Sequence, residues 1–308
     1  DLRTAAVLIS RAYGEFLAGG DRDERRRANP RVLCTLGGSA GEGADGAGEC
    51  DPPAMCSDER GWRAVLADSS RPGGYRGAPV AEVPLPPGTG TFGGGGDRMV
   101  YSWLDPGSGE LWYAVRGSAN YRAAATVASP FRAALAALTE PEVLADLTVV
   151  AGGYSGRVTP LLGRAVAAIE NDLRARLSAS RRRPSAVVLA GHSLGGSVAL
   201  KAAREIEDAR LAGPGGALPT RCVAFAPFVR DFRAYAAPLG EGSAVYACRS
   251  DYVYDNVFRR ARAGRPPAAE RLMGDPECAC GAAGCGHLLP CIWRAALAAD
   301  RTQPRGSG

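Results

Sequence analysis

Apolar and polar positions along this chain fall into two regimes. Short, largely apolar runs occur at 147–150, 186–190, 221–226 and 243–248, each of strand length. Between them, apolar residues recur every three or four positions at 131–145, 161–177 and 195–212, a spacing that lines one face of a helix. Two further apolar runs, 99–103 and 111–115, flank Asp105-Pro-Gly-Ser-Gly and predict a hairpin. Strands alternating with helices of this length predict an α/β domain on a mostly parallel, doubly wound sheet with helices on both faces. Residues 2–18 predict an amphipathic helix, with Leu2, Ala5, Ala6, Ile9, Tyr13, Phe16 and Leu17 near one face. Gly, Asp, Glu and Pro then dominate 19–60 without periodicity, and 36–50 reads as a flexible loop or disordered insert. A second Pro/Gly-rich connector, 70–97, ends in Gly93-Gly94-Gly95-Gly96. The expected organisation is an irregular N-terminal extension over 1–97 and an α/β core over 98–308, with no internal repeat.

Composition narrows the classes of function. A chain of 308 residues that is 46% hydrophobic can bury the core of one large domain. The net charge of +5 is carried by arginine, since Lys201 is the only lysine. Arg25-Arg26-Arg27 and Arg181-Arg182-Arg183 sit in polar connectors and read as solvated loops, so no nucleic-acid partner is expected. No window approaches the roughly 20 apolar residues of a membrane span. The glycines at 93–96 follow no strand and lack the Lys-Ser/Thr of a phosphate loop. No signal peptide is visible from Asp1 onward, which leaves any upstream segment open.

Nine cysteines fall into three groups. Cys222 and Cys248 lie in strand-like runs and are expected to be buried thiols. Cys34, Cys50 and Cys56, and the cluster Cys278, Cys280, Cys285 and Cys291, could form disulfides in an oxidising compartment, leaving at least one thiol free. That would suit the secretory pathway, although no Asn-x-Ser/Thr sequon occurs. The compartment stays open.

The candidate chemistry begins at Gly191-His192-Ser193-Leu194-Gly195-Gly196, which follows the apolar run 186–190 and opens a helical stretch. G-x-S-x-G between a strand and a helix makes a tight turn that holds the serine in a strained conformation with its hydroxyl projecting from the sheet edge. Gly191 and Gly195 leave room where strand and helix pack closely. The helix N-terminus and the Leu194 N–H favour negative charge beside Ser193. A serine nucleophile needs a base and an acid that orients the base. Of the two histidines, His192 adjoins the serine with its side chain expected to point away, which leaves His287. The acid should follow a strand between Ser193 and His287: Asp251 is the first choice, Asp255 the reserve and Asp231 the third.

A second oxyanion donor must come from another loop, and Ala114-Val115-Arg116-Gly117-Ser118 ends an apolar strand. With that segment the chain resembles the class 3 lipases, the fungal-lipase-like branch of the α/β-hydrolases, which pair a strand ending in Arg-Gly-Ser/Thr with a later Gly-His-Ser-Leu-Gly-Gly. Val149-Val-Ala-Gly-Gly-Tyr154 is similar to the family's Val-His-x-Gly-Phe, Phe225-Ala-Pro-Phe-Val-Arg230 to its Phe-Gly-x-Pro-Arg-Val, and Asp251-Tyr-Val to its Asp-x-Val. The resemblance covers roughly 98–295. It implies an α/β-hydrolase fold and a Ser193, Asp251, His287 triad, with the backbone N–H groups of Ser118 and Leu194 as oxyanion hole. It implies a lipid ester as substrate, acylglycerol or phospholipid, and no cofactor. The chain departs from the family at Ala151, where the family has histidine, and between Asn120 and Ser129, where the usual aspartate is missing and the lid position is small and mildly apolar. These departures leave a soluble esterase or phospholipase open beside a triglyceride lipase.

A rival reading concerns the C-terminal cluster. Cys278, Cys280, Cys285 and Cys291 are zinc-ligand types, and zinc held by His287 would remove the base. Their spacing fits no standard C-x2-C pair, and zinc on the four cysteines alone would leave His287 available. The alternative function is then a catalytically inactive lipid-binding or regulatory protein on the same scaffold; an acyltransferase using the same triad is a lesser variant.

Overall fold

A computed structural model describes residues 2, 4–6, 8, 9, 12, 81–86, 99–117, 160–179, 183–209, 218–227, 229, 239–249, 251, 254 and 269–273. Seven strands form one sheet: β1 (Ala81–Val83), β2 (Val100–Leu104), β3 (Leu111–Val115), β4 (Val187–His192), β5 (Thr220–Phe225), β6 (Ala244–Cys248) and β7 (Ala269–Met273). They lie side by side in chain order. The first three are antiparallel and β3 to β7 are parallel. The molecule is therefore of the mostly parallel α/β kind.

The expected hairpin is β2–β3, with Val100 opposite Val115 and Leu104 opposite Leu111. Asp105 shapes its turn, its carboxylate accepting the Gly107 N–H at 3.0 Å and the Ser108 hydroxyl at 2.7 Å. β3, β4 and β6 are buried at every position. Near-continuous apolar runs such as Val187-Val-Leu-Ala belong in a sheet covered on both faces.

Helix α1 (Pro160–Ala179) and helix α2 (Leu194–Asp208) bracket β4. α2 packs on β3, β4 and β5, and α1 packs on α2 and touches β1 and β2. The two helices thus share one face of the sheet. Right-handed crossovers between strands laid down in one direction require this. The expectation of helices on both faces is met, among the described crossovers, on one face only. At the amino terminus, Ala5, Ala6, Leu8, Ile9 and Ala12 are helical and fully buried in the same core.

Two strands were not expected. β1 lies inside the stretch read as a connector; three residues carry no periodicity, and pairing with β2 makes the strand. β7 reads Ala-Glu-Arg-Leu-Met, mostly helix formers, and is drawn out by pairing with β6. The helix expected at 131–145 and the strand at 147–150 lie outside the described residues. Trp112 is buried in the core opposite the partly buried Trp103, so this pair packs the interior. Cys222 and Cys248 are buried thiols, as expected. Burial pushes the Cys222 thiol up, which keeps it protonated and inert. Among the described residues no helix is long and apolar enough to cross a membrane.

One polar network docks α1 onto the sheet. The fully buried Tyr113 donates its hydroxyl to Asp172 at 2.8 Å, and Arg176 donates to the same carboxylate oxygen at 2.7 Å and to the Ser102 hydroxyl at 2.9 Å. Burial, reinforced by the Asp172 carboxylate, pushes the Tyr113 phenol far above its ordinary value, so it serves as a donor at any working pH. Asp172→Ala strands that donor in the interior and is expected to cost about 1–3 kcal/mol in thermal or urea unfolding. Tyr113→Phe removes the demand together with the donor and is expected to cost less. Equal losses in the two variants would contradict this account.

A smaller effect should be pH-dependent. Burial, followed by repulsion from Glu205, raises the Glu170 carboxyl above its ordinary value, with Arg174 and Lys201 offsetting part of the shift. The folded state then binds more protons than the unfolded state between the two pKa values, so this group's contribution falls as pH rises through that window. Glu170→Gln should raise the melting temperature slightly at neutral pH. The gain should vanish below the ordinary glutamate pKa of about 4.3. A gain of equal size at both pH values would point to another cause.

Candidate functional site

Because β3 to β6 are parallel, their carboxyl ends meet at one edge of the sheet. Ligands of open α/β sheets bind in the crevice outside that edge. Four segments converge there: Arg116-Gly117 after β3, Ser193 after β4, Ala226-Pro227 after β5, and Asp251 after β6.

Ser193 sits between the last residue of β4 and the first of α2, with φ 56° and ψ −124°. Residues with a Cβ avoid this region, and it persists only where the surroundings enforce it. Three backbone hydrogen bonds do so. The Ser193 N–H donates to the Phe225 carbonyl at 2.9 Å, and its own carbonyl accepts the N–H groups of Gly196 at 2.9 Å and Ser197 at 3.2 Å. Serine is a preferred helix N-cap because its hydroxyl normally bonds a backbone N–H of the first turn. At Ser193 no side-chain cap bond forms. Leu194 and Gly195 precede the first N–H that bonds within the helix, so their N–H groups lie at its positive end.

The two motif glycines are dictated by contact. A Cβ on Gly191 would lie 2.1 Å from the Gly195 carbonyl oxygen. A Cβ on Gly195 would lie 2.3 Å from the Val115 oxygen and 2.4 Å from the Arg116 oxygen. The start of α2 therefore rests directly on the end of β3. The adjacent Arg116 is fully buried and donates from a guanidinium nitrogen to the Gly117 carbonyl at 2.8 Å. On the other side, Ala226 follows β5 with φ 41°, a second residue with a Cβ held in the left-handed range, and its N–H donates to the Tyr246 carbonyl at 2.7 Å.

Asp251 is fully buried, and its N–H donates to the Cys248 carbonyl at 3.1 Å. Its Oδ1 accepts the Tyr254 N–H at 2.9 Å. β4 and β6 flank β5, so Ser193 and Asp251 follow strands two spacings apart, about 10 Å. No protein-family model matches the chain, and no curated protein matches it either. What the site can do must be read from its own residues.

The structure brings Ser193, Leu194 and Asp251 to one sheet edge, with Gly117, the residue before Ser118, beside them. Ser118, His287, the reserve acids Asp255 and Asp231, and the cluster Cys278, Cys280, Cys285 and Cys291 lie outside the described residues, as does Ala151. His192 is buried at the end of β4 opposite Phe225. A hydroxyl held at the positive end of a helix whose first turns are buried suits a nucleophile whose attack generates an oxyanion nearby. A buried carboxylate two strands away suits the orientation of an imidazole placed between them.

Sequence reasoning missed two features of this edge. The positive φ of Ala226 had no signal, because alanine carries a Cβ and lacks the short polar side chain that lets Asn or Asp adopt that region. The Asp251–Tyr254 bond did have one: an aspartate ending a strand, whose carboxylate bonds the N–H three residues on, is the arrangement of a helix N-cap.

Proposed function

We propose that this chain is a serine ester hydrolase with an α/β-hydrolase fold of the class 3 lipase kind, acting on acylglycerol or phospholipid acyl esters. The observation that carries the reading is the backbone of Ser193, strained between a buried strand and a buried helix without capping that helix. The close packing of Gly191 and Gly195, the buried Asp251 and the Arg116-Gly117 segment beside the elbow support it.

In this mechanism the Ser193 hydroxyl attacks the acyl carbonyl while His287 takes its proton. Asp251 holds the imidazole in the productive tautomer and offsets the charge it gains. The N–H groups of Leu194 and Ser118 receive the oxyanion, and the proton on His287 passes to the leaving alcohol. Water, activated by the same histidine, then releases the acyl group from Ser193.

The test is hydrolysis of short- and long-chain p-nitrophenyl esters by wild type, Ser193→Ala and His287→Ala, with fluorophosphonate labelling and zinc content on the same samples. Turnover and labelling in wild type, lost in Ser193→Ala, together with turnover lost in His287→Ala, is the expected result. The chain-length profile then separates esterase from lipase. An inactive, unlabelled wild type holding about one zinc per chain, released by His287→Ala, would replace the enzyme with a metal-stabilised binding protein.

A further inference from the structure

The buried acid at the end of β6 is joined to β7 through one residue. Tyr254 donates its backbone N–H to Asp251 Oδ1 at 2.9 Å, and its hydroxyl donates to Glu270. Tyr254 is among the largest fully buried side chains of the described residues. Glu270 stands on β7 opposite Val245 of β6, so the tyrosine reaches from the carboxyl edge of β6 back along the sheet to the neighbouring strand.

We infer that Tyr254 and Glu270 are positioning residues for Asp251, a reading that rests on the hydrolase proposed above. A carboxylate offers about four lone-pair sites. The bond from the Tyr254 N–H at Oδ1 restrains the orientation of the carboxylate that would receive an imidazole N–H. That N–H is only as fixed as the tyrosine that carries it. Tyr254 lies three residues after Asp251, and its buried side chain, bonded at the far end to Glu270, anchors the residue that supplies the N–H. Because β7 is an edge strand among the described residues, with mostly helix-forming residues, the clamp also gives it a role in the site that its sequence does not announce.

The experiment measures kcat and KM for a p-nitrophenyl ester in wild type, Tyr254→Phe, Glu270→Ala, Glu270→Gln and Asp251→Ala, and in Tyr254→Phe combined with Asp251→Ala. Circular dichroism and Ser193 labelling confirm folding. Tyr254→Phe and Glu270→Ala should each lower kcat about tenfold to a hundredfold with little change in KM, the scale of a misaligned catalytic group. Glu270→Gln keeps an acceptor for the phenol and should restore most of the rate. In the Asp251→Ala background Tyr254→Phe should have no further effect on rate. An unchanged kcat in folded Tyr254→Phe would overturn the inference, as would the same proportional loss with and without Asp251, which marks a general structural role. A wild type without turnover or labelling removes the hydrolase reading first, and the inference falls with it.

Discussion

Replacing Ser193 by glycine is expected to yield a protein more stable than the wild type that has lost ester turnover by roughly 10^6-fold, the scale on which triad nucleophiles act. The two effects share one cause. Ser193 occupies φ 56° and ψ −124°, where glycine rests easily and residues with a Cβ do not. Removing the Cβ relieves strain of about 1–2 kcal/mol, while the freer unfolded glycine returns about 0.5–1 kcal/mol of it. The net gain should be at most about 1.5 kcal/mol, visible as a raised unfolding midpoint. Ser193→Ala is the control: it loses the hydroxyl and keeps the strain, so it should be equally inactive without the full gain. Wild-type turnover in either variant would end the case for Ser193 as nucleophile. A glycine variant less stable than the alanine variant would mean that the backbone at this position is not strained.

Gly195→Ala should be among the most damaging single-methyl additions in the molecule. The new Cβ would lie 2.3 Å and 2.4 Å from the carbonyl oxygens of Val115 and Arg116, both backbone atoms that no side-chain rotation can move aside. Either α2 lifts from β3 or the end of β3 shifts, and the buried Arg116 shifts with it. A cost of about 3 kcal/mol or more is expected, at the upper end for overpacking. That is a large fraction of the 5–15 kcal/mol by which domains are commonly stable. Gly107→Ala provides the contrast, because its Cβ would meet only the Asp105 carboxylate at 3.5 Å, an ordinary contact. Its unfolding midpoint should match wild type. If Gly195→Ala unfolds with Gly107→Ala, the close packing of helix on strand is not as described. If Gly195→Ala folds but labels slowly with a fluorophosphonate, the displaced Arg116-Gly117 segment accounts for it.

The elbow was readable because its determinants are contiguous. An apolar run, two glycines around a serine and an Ala/Leu-rich helical repeat each act over a few residues, and the structure returns β4 and α2 within two to four residues of the expected limits. The β2–β3 hairpin was readable for the same reason, since its turn residues lie between its strands. β1 and β7 were not: β1 is only three residues long, too short for a period to register, and β7 carries neither alternation nor β-branched residues; each is extended by the neighbour it pairs with.

By itself, then, the sequence determined the class of the core and the strand–serine–helix turn, both products of local pattern. The tertiary structure alone decided the linear strand order, the single face shared by α1 and α2, and the arrival of Asp251 two strands from Ser193. It alone also decided the close approach of Gly195 to β3 and the link from Asp251 through Tyr254 to Glu270. Sheet pairing joins segments that are distant along the chain, and no local pattern encodes which partner a strand will take.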